Sequence, residues 1–551
     1  MPALRVALAQ INPTVGDLTG NSKAILAFAD QAHRQGAQLV VFPELALTGY
    51  PIEDLALSRD FLTASEEALT QLAQTLLNQG LGELYVVVGH PGFAKNPTSW
   101  AIGQNKASVL FQGSVVGSYA KHHLPNYSVF DEYRVFVPGD ELLTIELHGS
   151  KLSVVICEDI WQSGGPVAQI ERQQTDLTLV LNGSPFERSK TDSRLELVQE
   201  LAKGQDSAVA YVNLVGGQDD LVFDGNSFVV DSTGREITRA KQFEQDLLVF
   251  EITSKDQLES FSENHSNKPE LEQIWSALTL GLRDYVEKNR FKSVILGISG
   301  GIDSAVCAAI AADAIGAENV FGIAMPSKFS STHSIQDAKE LAENIGINYR
   351  LQSIESMVET AMSELSLTGT AAENLQARIR ALVLMGHSNQ HGHLVLTTGN
   401  KTELAVGYST IYGDSVGGFA PLKDVEKTLV WELAKYRNQM AISSGQIPPI
   451  PQSSISKPPS AELREGQLDQ DVLPEYEVLD QILELHIEQG LSQSAIVSMG
   501  IDERTVNFVL DLVRASEWKR RQGAIGPRIT KLAFGRERRM PITYSFSKDK
   551  K

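Results

Sequence analysis

The chain has 551 residues, 42% hydrophobic and 21% charged, an ordinary globular composition over a length that predicts two domains of about 250–300 residues. Its 48 Lys and Arg against 68 Asp and Glu leave a formal charge of −20, which argues against broad nucleic-acid binding or an anionic membrane surface as partner. Cys157 and Cys307 are the only cysteines, too few for a disulfide framework or a cysteine zinc site. No apolar run reaches the ~18 residues of a membrane span, and the first apolar segment is too short for a secretory signal. A cytoplasmic location is expected.

In chain order, short runs rich in Val, Ile or Leu predict strands at 4–9, 39–42, 84–89, 108–111, 152–156, 177–181, 208–213 and 227–230, with helices at 21–35 and 195–202. The sequence turns polar and aperiodic over 251–270, which predicts a linker between a domain at 1–250 and another at 271–551. A helix over 271–288 then leads into a strand at 294–298. Strands at 320–324 and 394–397 alternate with helices at 305–315, 334–345 and 372–387, the pattern of a parallel sheet, whose ligands bind at the carboxyl ends of its strands. Residues 443–471 contain five prolines with many Ser and Gln, and this stretch predicts a mobile flap.

The most informative string is Gly297-Ile298-Ser299-Gly300-Gly301-Ile302-Asp303-Ser304, placed between a strand and a helix. Residues without bulky side chains let such a turn bring backbone N–H groups and a helix N-terminus onto a polyphosphate. Ser299 and Ser304 can donate to phosphate oxygens, and Asp303 is suited to magnesium. A Gly-x4-Gly-Lys-Ser/Thr loop is absent, which argues against γ-phosphate chemistry. The string resembles the pyrophosphatase loop of the family that adenylates a carboxyl or related oxygen and then replaces AMP with a nitrogen or sulfur nucleophile. ATP and magnesium are therefore expected.

In the first half, Glu44 ends Leu-Val-Val-Phe-Pro-Glu, Lys121 lies in Tyr-Ala-Lys-His-His, and Cys157 ends Leu-Ser-Val-Val-Ile-Cys. Each alone reads as packing, a solvated charge or a turn cap. Together they resemble the Glu-Lys-Cys set of the nitrilase-type amidases. The residue types suit the chemistry: a thiolate attacks an amide carbon, a carboxylate relays its proton to leaving ammonia, and an ammonium stabilises the oxyanion. The resemblance further implies that Tyr127, Ser184 and Lys190 hold glutamine and that Glu132 is an auxiliary carboxylate. Cys307, on an Ala-rich helix, reads as a small buried thiol.

In the second half, Glu373-Asn374-Leu375-Gln376-Ala377-Arg378-Ile379-Arg380, Thr397-Thr398-Gly399-Asn400-Lys401-Thr402-Glu403-Leu404 and Lys457-Pro458-Pro459-Ser460-Ala461-Glu462-Leu463 resemble the glutamine-dependent NAD synthetases. With the amidase half, the likeness covers nearly the whole chain. It implies an α/β fold, with an N-terminal nitrilase-like αββα sandwich followed by a Rossmann-like parallel-sheet domain. It also implies that Thr398 contacts ATP, that Glu403 binds magnesium or substrate, and that Asn374, Arg378 and Lys531 contact deamido-NAD. Lys427 is a further phosphate candidate, and a homo-oligomer is expected. Because ammonia is mostly protonated at neutral pH, an enclosed passage between the sites would keep it reactive. Between Lys519 and Pro541 eight Lys or Arg accompany one acidic residue, Glu537; the interleaved apolar residues favour a pyrophosphate or dinucleotide site over a nucleic-acid tail.

Other readings remain open. GMP or asparagine synthetases resemble chains with a Gly-x-Cys-x-Gly elbow or a cysteine after the initiator Met, and this chain has neither. A tRNA sulfur-transfer protein would want a basic surface and paired cysteines. An ammonia-using synthetase with a non-catalytic first module is opposed by the intact Glu44, Lys121 and Cys157.

Overall fold

Runs of Val, Ile and Leu build the inner strands of two sheets in the first of two units, divided between Pro269 and Glu270. The structure is a computed structural model that describes residues 3–188 and 190–543. In chain order the strands of the first unit are β1 (Leu4–Gln10), β2 (Leu39–Val41), β3 (Tyr85–Phe93), β4 (Gly103–Phe111), β5 (Ser114–Ala120), β6 (Leu143–Leu147), β7 (Ser150–Ile156), β8 (Leu177–Asn182), β9 (Ala208–Asn213), β10 (Val215–Gln218), β11 (Leu221–Asp224), β12 (Phe228–Val230), β13 (Glu236–Arg239), β14 (Asp246–Ser254) and β15 (Gln257–Ser260). One sheet has the order β15-β14-β1-β2-β3-β4-β5 and the other β13-β12-β9-β8-β7-β6.

Side chains on alternate positions of β1 sort onto two faces, as a period of two requires. Leu4, Val6 and Leu8 share a core with Leu152, Val154, Leu179 and Val212 of the second sheet. Ala7 and Ala9 face the helices α1 (Leu18–Arg34) and α2 (Arg59–Asn78) through Ile25, Ala29, Leu69 and Leu72. On the second sheet, Val198 and Ala202 of α3 (Lys190–Gln205) cover the strands. The layers are thus helix, sheet, sheet, helix, as the resemblance implied.

The stretch 251–270 departs from the linker reading. Its first part completes β14, which pairs antiparallel with β1 from Leu4↔Ile252 to Gln10↔Asp246, and then forms β15 at the sheet edge. An edge strand leaves one face and one row of backbone groups to water, so Gln257-Leu258-Glu259-Ser260 carries no apolar run to betray it.

The second unit centres on a parallel sheet of order β18-β17-β16-β19, where β16 is Val294–Gly297, β17 Val320–Ala324, β18 Asn348–Leu351 and β19 Leu394–Val395. Its helices begin with α4 (Glu270–Lys288), α5 (Ile302–Ile315), α6 (Thr332–Ile345), α7 (Glu355–Leu365), α8 (Thr370–His391), α9 (Lys401–Val406) and α10 (Lys427–Ser443). α5 is buried along most of its length, Ala305 through Ala311 included, and packs against α4 and α10. A helix enclosed on all sides is apolar all round, which is why its sequence shows alanine rather than amphipathic spacing. Cys307 is one of these buried residues. Among the described residues, no helix is long and apolar enough to cross a membrane.

One glycine joins this scaffold to a functional position. A Cβ on Gly89 in β3 would lie 2.4 Å from both the Pro43 oxygen and the Leu45 nitrogen, on either side of Glu44. Gly89→Ala therefore forces the Glu44 turn away from the sheet. Overpacking of this kind costs about 1–3 kcal/mol, so the variant is expected to unfold at lower denaturant, as followed by circular dichroism.

Candidate active sites

In the first unit, two buried carboxylates converge on a buried ammonium. Glu44, just past β2, is fully buried; its Oε1 accepts from Lys121 Nζ at 2.7 Å and from Asn105 Nδ2 at 2.7 Å, and its Oε2 accepts from Gly183 N at 2.9 Å. Lys121, just past β5, is 1% exposed and also donates to Glu132 at 2.9 Å. Tyr50 Oη donates to the same Glu132 carboxylate at 2.8 Å. Burial opposes the Lys121 charge, but Glu132 and Glu44 outweigh it and hold the pKa well above the usual lysine value. Burial pushes Glu132 up to about 7, against the pull of Lys121 and with the help of Glu44.

Cys157 follows β7 at φ 43°, a left-handed conformation that costs a non-glycine residue free energy and is typical of functional turns. Burial, reinforced by Glu44 and opposed by Lys121, raises its thiol pKa well above the ordinary value. At neutral pH the thiol therefore carries its proton and needs a base. Glu44 and Lys121 are the charges that act on it most.

Of the expected glutamine contacts, Ser184 is buried at the end of β8, where Asn213 Oδ1 accepts from its N–H at 2.9 Å and Arg194 Nε donates to its Oγ at 3.2 Å. Tyr127 is half exposed, with its hydroxyl 2.8 Å from Glu158. The Lys190 side chain lies outside the described residues. Asn105, Tyr50 and Arg194 were not singled out from sequence; Asn105 lies in β4, Tyr50 in a loop and Arg194 in the polar helix α3, settings that signal a satisfied core group as readily as a site.

In the second unit the turn from β16 to α5 carries the glycine-rich string. Gly300, at φ 76°, would place a Cβ 2.3 Å from the Ser334 oxygen, so it is fixed by close approach to α6. Ser299 Oγ and Ser304 Oγ lie 3.2 Å apart, Gly301 N donates to Ser299 Oγ at 3.2 Å, and Ser304 Oγ donates to Gly301 O at 3.0 Å. The loop is thus held open by its own hydroxyls. It borders a cavity of about 510 Å³ whose lining includes Gly297, Ile298, Ser299, Gly301, Ile302, Asp303, Ser304, Asn374, Thr398 and Glu403.

Asp303 and Glu403, both expected at a magnesium ion, share Lys427 here: its Nζ lies 2.5 Å from Asp303 Oδ2 and 3.2 Å from Glu403 Oε1. Asn400 Nδ2 donates to Asp303 Oδ1 at 2.8 Å, and Asn400 Oδ1 caps α9 through Glu403 N at 2.9 Å. Burial raises Glu403 to about 8, opposed by Lys427 and helped by Asp303. Among the described residues, no group of three or more His, Cys, Asp or Glu is placed to hold a metal ion. Two hard carboxylates facing one cation nevertheless match magnesium, which uses one or two protein carboxylates together with phosphate oxygens and water.

The flap reading is modified by the contacts of 443–471. Glu462 accepts from Ser331 N, Ser331 Oγ and Ser334 Oγ at 3.2, 3.0 and 2.7 Å, and Ser454 Oγ donates to Gly300 O at 3.0 Å, so the segment is fastened over the cavity. Arg378 and Lys531 do not line that cavity; Arg378 is exposed and donates to Ile411 O at 3.3 Å, and Lys531 is exposed. In the basic run 519–541, Arg520, Arg521 and Arg538 converge on Glu517, just before it, and Arg528 pairs with Glu537. Lys519 does line the cavity.

These geometries define a carbon–nitrogen hydrolase unit joined to a nucleotide-dependent synthase unit, and comparison with known proteins agrees. The carbon-nitrogen hydrolase family profile matches residues 5–257 and the NAD synthase profile matches residues 274–523. The glutamine-dependent NAD(+) synthetases of Aquifex aeolicus and Acinetobacter baylyi are each 44% identical to the chain, covering 99% and 100% of it and 100% of their own length. The solved structure of the Acinetobacter baumannii glutamine-dependent NAD+ synthetase in complex with ADP is 43% identical over 98% of both chains, with a TM-score of 0.77. A synthetase from Cytophaga hutchinsonii, 22% identical with a TM-score of 0.82, shares the fold. The chain belongs to the glutamine-dependent NAD(+) synthetase family.

Glu132 supplies a pH test. Its folded pKa of about 7 lies above the usual glutamate value, so between about 4.3 and 7 the folded state binds more protons than the unfolded one. The stability it contributes is complete below that window and is lost as pH rises through 7. Wild-type unfolding free energy is expected to fall more steeply than that of Glu132→Gln between pH 5 and 7, by at most about 1.4 kcal/mol per unit; parallel denaturation curves would contradict this.

Proposed function

We propose that the chain makes NAD from deamido-NAD, with ATP as activating substrate and glutamine as nitrogen source. The observation that carries the first half is the Lys121 ammonium held at 2.7 Å from Glu44 beside a neutral buried thiol. Glu44 takes the proton of Cys157, and the thiolate attacks the carboxamide carbon of glutamine. Lys121 stabilises the oxyanion, and Glu44 returns the proton to leaving ammonia. Water then attacks the thioester, with Glu44 again as base, and releases glutamate. Tyr127, Ser184 and Lys190 are assigned to binding glutamine.

In the second unit, the Gly297–Ser304 loop, with Thr398, receives ATP so that the nicotinate carboxylate of deamido-NAD attacks the α-phosphorus and pyrophosphate leaves. Ammonia then adds to the acyl-adenylate and AMP departs. Asp303 and Glu403 would hold magnesium, which when bound neutralises charge on the phosphates; Lys427, already between them, turns toward those phosphates. Asn374, at the cavity wall, together with Glu403, Arg378 and Lys531, is assigned to deamido-NAD, and an assembly of like copies belongs to the same reading.

Two experiments test this. Cys157→Ala is expected to lose glutamine-dependent NAD formation by at least a thousandfold while keeping synthesis from added ammonia; retained use of glutamine would refute the nucleophile. With the nicotinate carboxylate labelled by oxygen-18, one label is expected in AMP, whereas ADP as product or unlabelled AMP contradicts activation through an acyl-adenylate. Asp303→Ala is expected to stop AMP formation with either nitrogen source.

A further inference from the structure

The nucleophile and its partners stand on different sheets. Cys157 follows β7 of the second sheet, whereas Glu44 and Lys121 follow β2 and β5 of the first. Attack on an amide requires their relative placement to be kept within a fraction of an ångström, since a 1 Å error can cost about 100-fold in rate. Glu44 is tied across the gap by the Gly183 N–H bond. Lys121 has no such tie of its own. Its backbone N–H bonds Asn105 O at 2.9 Å on the first sheet, and its carbonyl accepts from Gly139 N at 2.8 Å in the loop after β5, so neither backbone bond reaches a strand of the second sheet.

The missing tie is Asp159, two residues after the nucleophile and fully buried. Its Oδ1 accepts from the N–H groups of His122 and His123 at 3.1 and 2.8 Å. Its Oδ2 accepts from Tyr119 Oη at 2.7 Å and from Ile156 N at 3.0 Å. Three of these donors bracket Lys121, and the fourth precedes Cys157. We infer that Asp159 is a positioning residue for glutamine hydrolysis, a carboxylate clasp that sets the Lys121 ammonium against the Cys157 turn.

A carboxylate is required rather than any polar group of the same size. All four partners are donors, and an ionised carboxylate presents acceptors on both oxygens. Asparagine would turn an NH2 group toward two N–H or O–H donors and leave them unsatisfied. Hydrogen bonds from backbone N–H groups to a buried anion are among the strong ones, so this clasp is stiff.

The inference rests on Cys157 being the nucleophile and Lys121 the oxyanion donor, and its test separates the two. The full chain carrying Asp159→Asn is compared with wild type, Lys121→Ala, Cys157→Ala and the Asp159→Asn/Lys121→Ala double variant. Steady-state glutamate release gives kcat and KM, single-turnover acylation read by intact-protein mass covers the slow variants, and an unfolding midpoint is taken for each. For Asp159→Asn we expect kcat about 100-fold lower with KM for glutamine within threefold. The double variant is expected to be within twofold of Lys121→Ala, because Asp159 acts through Lys121. A rise in KM at constant kcat, an unchanged kcat, or multiplied losses in the double variant overturns the proposal. If Cys157→Ala still hydrolyses glutamine, the underlying reading falls; if it is dead and Asp159→Asn keeps the wild-type kcat, only the clasp falls. Should Asp159→Asn fail to fold, Tyr119→Phe removes one of the four donors: a fivefold or greater drop in kcat at constant KM supports the clasp, and any other result overturns it.

Discussion

A lysine ammonium placed where water does not reach is the constraint on which the first unit is organised. Removing such a charge from water costs several kcal/mol, recovered only when carboxylates stand at hydrogen-bond distance and their remaining lone pairs are also filled. Lys121 meets Glu44 and Glu132; Glu44 is filled by Asn105 and Gly183, and Tyr50 donates to Glu132 Oε1, leaving Oε2 to the ion pair with Lys121 alone. Burial, with the help of Glu44 and against the pull of Lys121, raises Glu132 to about 7, so near neutral pH this carboxyl is only partly ionised beside the ammonium.

The second unit solves a related problem by the same means. Lys427 is buried between Asp303 and Glu403, and its aliphatic stem and ammonium lie near the rings of Trp431 and Tyr476. Here the cluster faces a cavity rather than a closed core, so its charge balance is open to revision by whatever enters. The loop hydroxyls beside it already hold each other in place. The two units thus differ less in electrostatic design than in access.

How much of this was legible depended on whether a residue announces itself by its neighbours in sequence. The central strands did, because consecutive β-branched residues have few other uses, and Cys157 and Glu44 did, because each ends such a run. β15 did not, since an edge strand needs no apolar face. Asp159 did not either: its partners Tyr119, His122 and His123 lie 36 or more positions away, and in sequence it is one acid in Cys-Glu-Asp-Ile. The partners of the basic run from Lys519 were hidden for a related reason: three of its arginines converge on Glu517, two residues before the run begins.

The resting state of the two thiols has a bearing on chemical durability. Cys157 and Cys307 are both buried and both have pKa values raised by burial. Thiolates attack peroxides and disulfides, and a thiol kept protonated and enclosed reacts slowly with either. Under the proposed role of Glu44 as base, the Cys157 thiolate forms only when that carboxylate withdraws the proton, and the sulfur is shielded at other times. The low-dielectric setting that would make a neighbouring base necessary for chemistry at Cys157 is thus the same one that protects the sulfur from oxidation.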